Sequence, residues 1–282
     1  MNVPAPDAQA TPLAAKSPFE LRVGLGEGTP EQTVRDALAT GEMGFLHSYT
    51  TGSTVDGPGV RVVAWTTGCM WRCRYCHNPD TWTVTNGIPV SVARAADELR
   101  KYREGLKVMS GGFTLSGGEP LMQHRFAAKL LAAAKAMGIH TTMETNGFYG
   151  SRLTDKELES IDLVMLGLKT WDPERHKSLT GQEIGPTLEF ARRLAARRRP
   201  VWIRFVLVPG LTDDLADMAG SAKFAASLGN VERVEVLPFH QMGGFKWERL
   251  GLDYTLNNVE PPTPTSIEQA CAVWRAAGLE AN

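Results

Sequence analysis

The chain has 282 residues, 43% of them hydrophobic and 22% charged, with a formal net charge of −1. This is an ordinary globular composition, long enough for one large core or two small ones. It gives no electrostatic case for nucleic acid or a membrane surface, and no apolar run reaches the length of a membrane span.

The first twenty residues, MNVPAPDAQATPLAAKSPFE, contain no signal-peptide hydrophobic region, which predicts a cytoplasmic protein. Residues 1–28 are rich in Pro, Ala and Gly, lack periodicity, and read as a flexible extension. TPEQTVRDALATG reads as a short helix, with Thr29 as cap, Pro30 at the first helical position and Gly41 at the end. The extension is therefore expected over 1–42 and the main domain over 43–282. Strands are predicted at 61–67, 112–116, 139–144, 163–168, 201–208 and 231–239, as near-continuous apolar runs. Helical patterns fall near 91–103, 123–137, 154–160, 186–198, 214–228 and 265–277. The basic run Arg197-Arg198-Arg199 reads as a favourable helix C-terminus.

Alternation of strand and helix argues for a parallel α/β sheet, either open and doubly wound or rolled into a full or partial barrel. Reactive residues stand at the ends of five of the predicted strands: a cysteine group after VVAWTTG, Glu119 after FTLSGG, Glu144 in HTTME, Lys169 after LVMLGL and His240 after VEVLPF. Chemistry in parallel α/β folds gathers at the carboxyl ends of strands, and so many contributors favour a barrel mouth.

Cys69, Cys73 and Cys76 follow the first of these strands with spacing C-x3-C-x2-C, and the fourth cysteine is Cys271. Cys73-Arg-Tyr-Cys76-His77 also matches the attachment pattern of a c-type haem, but that reading needs export and leaves Cys69 idle. A Cys3His zinc site would force adjacent Cys76 and His77 onto one ion, and a dithiol pair again omits Cys69. Three ordinary buried cysteines fit poorly in an irregular Arg-rich loop. A [4Fe–4S] cluster fits better, although it asks for four thiolates. Cys271 shares helical spacing with Ile267 and Trp274 and reads as a core residue. One iron then lacks a protein ligand, and an open metal position is where a substrate or cofactor binds.

These motifs resemble those of the radical S-adenosylmethionine enzymes, and in particular the pyruvate formate-lyase activating enzymes, the glycyl-radical activases. The resemblance is carried by TVDGPGVR, GCMWRCRYCHNPDTW, TLSGGEPL, TNGF, DLVMLGLK, VWIRFVLVPGLTDD and LPFHQMG, in family order over about residues 43–280. It implies a partial (β/α)6 barrel of TIM type. It also implies one [4Fe–4S] cluster on Cys69, Cys73 and Cys76, with S-adenosylmethionine chelated by the open iron. Gly117, Gly118 and Glu119 match the family's GGE element, where the Glu119 carboxylate suits the cofactor's ammonium. Lys169 and Arg204 would meet its carboxylate and ribose, with Gly167 and Leu168 beside them. His240 would touch ribose or adenine, and Tyr75 and His77 would shield the cluster and contact the adenosyl group. Asp56 reads equally as a holder of the partner's glycine loop or as a turn former. The implied reaction is reductive cleavage of the sulfonium to a 5′-deoxyadenosyl radical, which takes hydrogen from a glycine of the partner.

The expected partner is a glycyl-radical enzyme, pyruvate formate-lyase first, with a flavodoxin or ferredoxin-type electron donor. A monomer without nucleic-acid or membrane partners is expected. The sequence departs from the family at Glu144 and Gly167, where Asp is usual. Since those carboxylates help to hold a monovalent cation, a weakened or absent cation site is expected. Activation of a different glycyl-radical enzyme, a small-molecule substrate, and a metal-binding module without catalysis are the competing readings.

Overall fold

The computed structural model describes residues 31–282, so the expected flexible extension and the Thr29 and Pro30 helix signals lie outside the described residues. The chain enters through α1 (Glu31–Thr40), the short helix anticipated upstream of the domain. It ends at Gly41 in the left-handed region (φ +77°) and lies against a later helix at His124–Ala136: a Cβ on Gly41 would come within 2.5 Å of Arg125.

A hairpin follows. β1 (Met43–Ser53) pairs antiparallel with β2 (Arg61–Thr66) on one side and with β3 (Ile88–Ser91) on the other. The sequence pattern missed β1 and β3. Beyond Leu46, β1 alternates between half-buried and exposed positions, so it carries no continuous apolar run.

The alternating unit then repeats: α2 (Val92–Arg100), α3 (Arg103–Val108), β4 (Gly112–Gly117), α4 (His124–Ala136), β5 (His140–Thr145), α5 (Asp155–Leu158) and β6 (Leu163–Gly167). It continues through α6 (Pro173–Thr180), α7 (Gly185–Ala196), β7 (Val201–Leu207), α8 (Leu215–Leu228), β8 (Val231–Pro238), α9 (Gly244–Arg249) and α10 (Pro264–Ala276). The strand order is β3-β1-β2-β4-β5-β6-β7-β8, and β2, β4, β5, β6, β7 and β8 run parallel. All six expected parallel strands are present.

The sheet is a partial barrel because its end strands find other partners. β2 takes β1, and the outer edge of β8 takes the C-terminus, where Val234 and Val236 N–H donate to Glu280 and Asn282 carbonyls at 2.8 Å. All five residues of β6 are buried, as for a strand covered on both faces. The main core lies between sheet and helices, around residues such as Leu115, Leu130, Val164, Phe205 and Trp274. Among the described residues no helix is long and apolar enough to cross a membrane.

Helix α6 was also missed. PERHKSLT offers no apolar stripe, yet its punctuation is complete: Asp172 caps it by accepting from Arg175 N–H at 2.8 Å, Pro173 opens it, and Gly181 (φ +78°) ends it. The Arg197–Arg199 run does close α7, with Arg198 in the left-handed region at φ +52°.

Candidate active site: a three-thiol loop at the barrel mouth

The cysteines lie on the loop that leaves β2. Its base is closed by Gly68 N–H donating to Thr81 O (2.7 Å) and Cys69 N–H donating to Trp82 O (3.0 Å). Cys76 N–H bonds Cys73 O at 3.0 Å, which turns the second half back on itself. Two helices grip it from outside. The last carbonyls of α6 accept from the loop, Thr180 O from Arg72 N–H (2.7 Å) and Leu179 O from Arg74 N–H (3.1 Å). From α9, Trp247 Nε1 donates to Cys76 O at 2.8 Å, and Lys246 Nζ donates to Asn78 Oδ1 at 2.6 Å.

All three thiols are half-buried and free. Burial pushes the Cys73 thiol up to about 12, against the pull of Lys169. It raises Cys69, helped by Glu119, and it raises Cys76. Ionising such thiols needs bound positive charge, which is what iron supplies. Cys73 and Cys76 pack beside an apolar wall that includes Tyr75, Phe239 and Trp247, whereas Cys271 belongs to the main core with Trp274. Among the described residues, no three His, Cys, Asp or Glu side chains close around a single ion. A cube does not ask for that, since each thiolate binds a different iron.

The glycines after β4 serve the scaffold first. A Cβ on Gly117 (φ +126°) would sit 2.2 Å from Thr66 N and O, and one on Gly118 would sit 2.5 Å from Gly68 O. Only a bare backbone lets the end of β4 pass the root of the cysteine loop. Glu119, fully buried, faces inward: Oε1 accepts from Leu121 N–H (2.9 Å) and Thr145 Oγ1 (2.7 Å), and Oε2 accepts from Asn146 N–H (2.7 Å). The expectation that this carboxylate is free for an ammonium therefore meets a carboxylate already engaged by three donors. Burial pushes its pKa up to about 7 against those bonds.

Within the barrel, Gly167, Arg204 and Glu235 are register neighbours on β6, β7 and β8. Arg204 Nε lies 3.3 Å from Glu144 Oε1 and 3.6 Å from Glu235 Oε2, and its Nη1 lies 3.7 Å from Asp56 Oδ1. Nη1 also donates to Val55 O at 3.1 Å. Burial lowers the guanidinium, but Glu144, Glu235 and Asp56 outweigh it and hold its pKa up. Burial comes first in raising both Asp56 and Glu235. Three acids around one cation make an acidic well that suits a cationic ligand. Asp56 is buried, with Ser53 Oγ donating to its carboxylate, so it faces this well and not solvent. Glu144 also accepts from Ser116 Oγ at 2.6 Å.

Glu235 escaped the sequence reading. Its signal was the alternation Val234-Glu235-Val236: both valines are buried in the helix-facing core, so the acid between them points to the opposite, barrel face.

At the rim, Lys169 folds back so that a Cβ on Gly167 would lie 3.0 Å from its Nζ. The same ammonium stands 5.9 Å from the centroid of the Tyr75 ring. His77 and His240 meet edge to face at 4.8 Å. Leu168 is buried in the main core, which sets it apart from the polar members of the predicted set.

Residues 63–222 match the Radical SAM superfamily. The chain is 42% identical over 234 residues to the pyruvate formate-lyase-activating enzyme of Staphylococcus epidermidis, covering 80% of this chain and 93% of that one. It is 41% identical over 238 residues to the pyruvate formate-lyase 1-activating enzyme of Escherichia coli, covering 84% and 97%. The chain belongs to the radical SAM superfamily. Solved structures agree on the fold. A domain of pyruvate-formate lyase-activating enzyme from Bacteroides vulgatus aligns with TM-score 0.50 and 24% identity over 61% of this chain and 98% of that one. Streptococcus suis SuiB bound to precursor peptide SuiA aligns with TM-score 0.58 and 15% identity over 78% and 48%.

The superfamily's cofactors are a [4Fe–4S] cluster and S-adenosylmethionine, and this donor set fits them. Three half-buried thiols share one loop, the fourth cysteine lies in a separate core, and the Tyr75 hydroxyl beside Cys73 and Cys76 has no partner in the protein.

Proposed function

We propose that this protein is a glycyl-radical activase whose partner is pyruvate formate-lyase. The observation that carries the reading is a loop of three thiols at a barrel mouth, in a chain 41–42% identical, over most of its length, to enzymes named for that activation. Residues 43–282 are the catalytic unit, with residues 1–42 appended, and the protein works as a monomer in the cytoplasm. The electron comes from a flavodoxin or ferredoxin-type protein.

Cys69, Cys73 and Cys76 would hold the cluster, with S-adenosylmethionine bound beside it. When bound and reduced, the pair supplies a 5′-deoxyadenosyl radical that takes a hydrogen atom from the partner's glycine. The residues of this chain bind, orient and screen. The backbone of Gly117 and Gly118 borders the cofactor, and Glu119 holds that backbone through its bonds to Leu121 and Asn146. Lys169 and Gly167 would lie on its carboxylate side. Arg204 and Glu144, with Asp56 and Glu235, set the negative field under the sulfonium. Tyr75, His77 and His240 screen the adenosyl side. With the Lys169 ammonium already against Gly167, we expect no stimulation by potassium or sodium.

The test is electron paramagnetic resonance of the anaerobic, reduced protein mixed with S-adenosylmethionine and pyruvate formate-lyase. A doublet glycyl-radical signal is the expected result. Cofactor cleavage without a doublet would point to another glycyl-radical enzyme or a small molecule. Absence of iron and sulfide would sink the reading.

A further inference from the structure

Two buried rings beside the cysteines carry polar atoms with no partner. Trp71, between Cys69 and Cys73, is 2% exposed, and its Nε1 makes no hydrogen bond. His176, on α6, is 0% exposed, and neither ring nitrogen makes a bond of ordinary geometry. The rings meet edge to face, with centroids 5.0 Å apart and planes at 85°.

This contact is the side-chain part of a three-point grip. The other two points are the α6 carbonyls of Thr180 and Leu179, which accept from Arg72 and Arg74 on either side of Cys73. Helix α6 is itself anchored: Asp217 of α8 accepts from Trp171 N–H (2.9 Å) and Asp172 N–H (2.6 Å) at its start. A rigid path thus runs from α8 through α6 to the loop.

Packing alone does not explain the polar atoms. An unpaired buried donor costs about 1–3 kcal/mol, and phenylalanine at either position would keep an edge-to-face contact without that cost. The indole N–H can only donate, so it needs an acceptor. Among three thiol ligands, the acceptors that arrive with a cluster are its sulfurs. Hydrogen bonds to those sulfurs are one of the levers on a cluster's reduction potential.

We propose that Trp71 and His176 are a tuning pair for the iron–sulfur cluster: His176 is a positioning residue that fixes the indole, and the Trp71 N–H donates to a cluster sulfur and raises the reduction potential. The pair rests on the cluster reading above, and it adds two residues that the three-cysteine motif does not include.

The test uses the full chain, loaded with cluster anaerobically and titrated redox-wise while the reduced cluster is followed by electron paramagnetic resonance. Trp71→Phe keeps a ring and removes the donor. Its midpoint should fall by the equivalent of about a tenfold change in the reduction equilibrium, ~59 mV for one electron. His176→Phe should shift it the same way by less. The double variant should fall no further than Trp71→Phe, because His176 acts through the indole. The midpoint belongs to clusters that form, so partial loading leaves it readable. An unmoved midpoint in Trp71→Phe overturns the proposal. So does a Trp71→Phe protein that takes up no cluster, which would make the indole structural, or full additivity in the double variant. A wild-type protein with no cluster signal would defeat the functional reading as well, and so is distinguishable from failure of the pair alone.

Discussion

At the floor of the barrel Arg61 has no exposed surface, and each of its nitrogens has a partner. Nε donates to Thr114 Oγ1 (2.9 Å), Nη1 to Pro58 O (3.1 Å), and Nη2 to Phe113 O (2.6 Å) and Thr142 Oγ1 (2.9 Å). At the mouth, the Trp71 indole N–H and the Tyr75 hydroxyl are buried and have none. Both regions are charged or polar interiors of the same barrel, yet only the floor is complete as protein. Burial pushes the Arg61 pKa down to about 10, and hydrogen bonds offset the cost of keeping a cation there. The difference teaches where function sits. A satisfied buried cation is architecture, and unpaired buried polar atoms beside three free thiols leave room for a ligand to complete them.

The largest effect that would sharpen this contrast is at the mouth. Cys73→Ala should leave the fold intact, since Cys73 packs at the margin of a small apolar wall and not in the main core. It should abolish a stable cluster, and cleavage of S-adenosylmethionine should fall to background. Iron and sulfide analysis with a cleavage assay reads both. A Cys73→Ala protein with a full cluster would break the ligand assignment.

The floor should respond in the opposite way. Arg61→Ala strands Phe113 O and Thr142 Oγ1 and opens a void beneath the loop in which Gly57 lies near Arg61 Nε. A loss of about 3 kcal/mol in urea unfolding is expected, with an unchanged m-value. The folded fraction should still take up cluster. If Arg61→Ala instead left stability alone and impaired cofactor binding, the floor would belong to the site.

Glu119 lies on the boundary between the two regions. Its sequence context assigned it to a ligand, and its bonds assign it to the scaffold. Glu119→Gln places an amide N–H₂ among three donors, Leu121 N–H, Asn146 N–H and Thr145 Oγ1. About 1–3 kcal/mol of stability should be lost, and any rise in the KM for S-adenosylmethionine should accompany that loss, because Glu119 acts through the Gly117–Gly118 backbone. A raised KM with unchanged stability would restore the ammonium-binding role.

How much of this was legible in sequence follows from what each feature depends on. The parallel strands were visible because burial on both faces leaves an apolar run, as in Leu163–Gly167. The cysteine loop was visible because ligand spacing is local. Features that depend on partners distant in sequence were not. Nothing local reveals that Glu119 also bonds Thr145 and Asn146 at the end of β5, that Asp56 turns inward to Arg204, or that His176 meets Trp71 over a hundred residues away. Helix α6 hid because its stability comes from caps and from gripping the loop, and its composition gives it no apolar stripe.

The smallest effect returns to the floor. His140 Nδ1 lies 3.3 Å from Arg61 Nη1. Burial is the first cause lowering its pKa from 6.5, the Arg61 charge is the second, and Asp162 pulls the other way. The folded protein therefore holds His140 neutral where the unfolded chain has begun to bind a proton. Stability from this group is fully present above pH 6.5 and is lost as pH falls through the folded-state pKa, because the unfolded state takes up more protons there. In urea unfolding on either side of pH 6.5, His140→Gln should flatten the acid-side loss by no more than about 1 kcal/mol. Cluster content should be untouched at both pH values. If the wild type and His140→Gln lost stability in parallel, neither burial nor the Arg61 charge would be depressing His140, and the floor would be less tightly closed than its hydrogen bonds indicate.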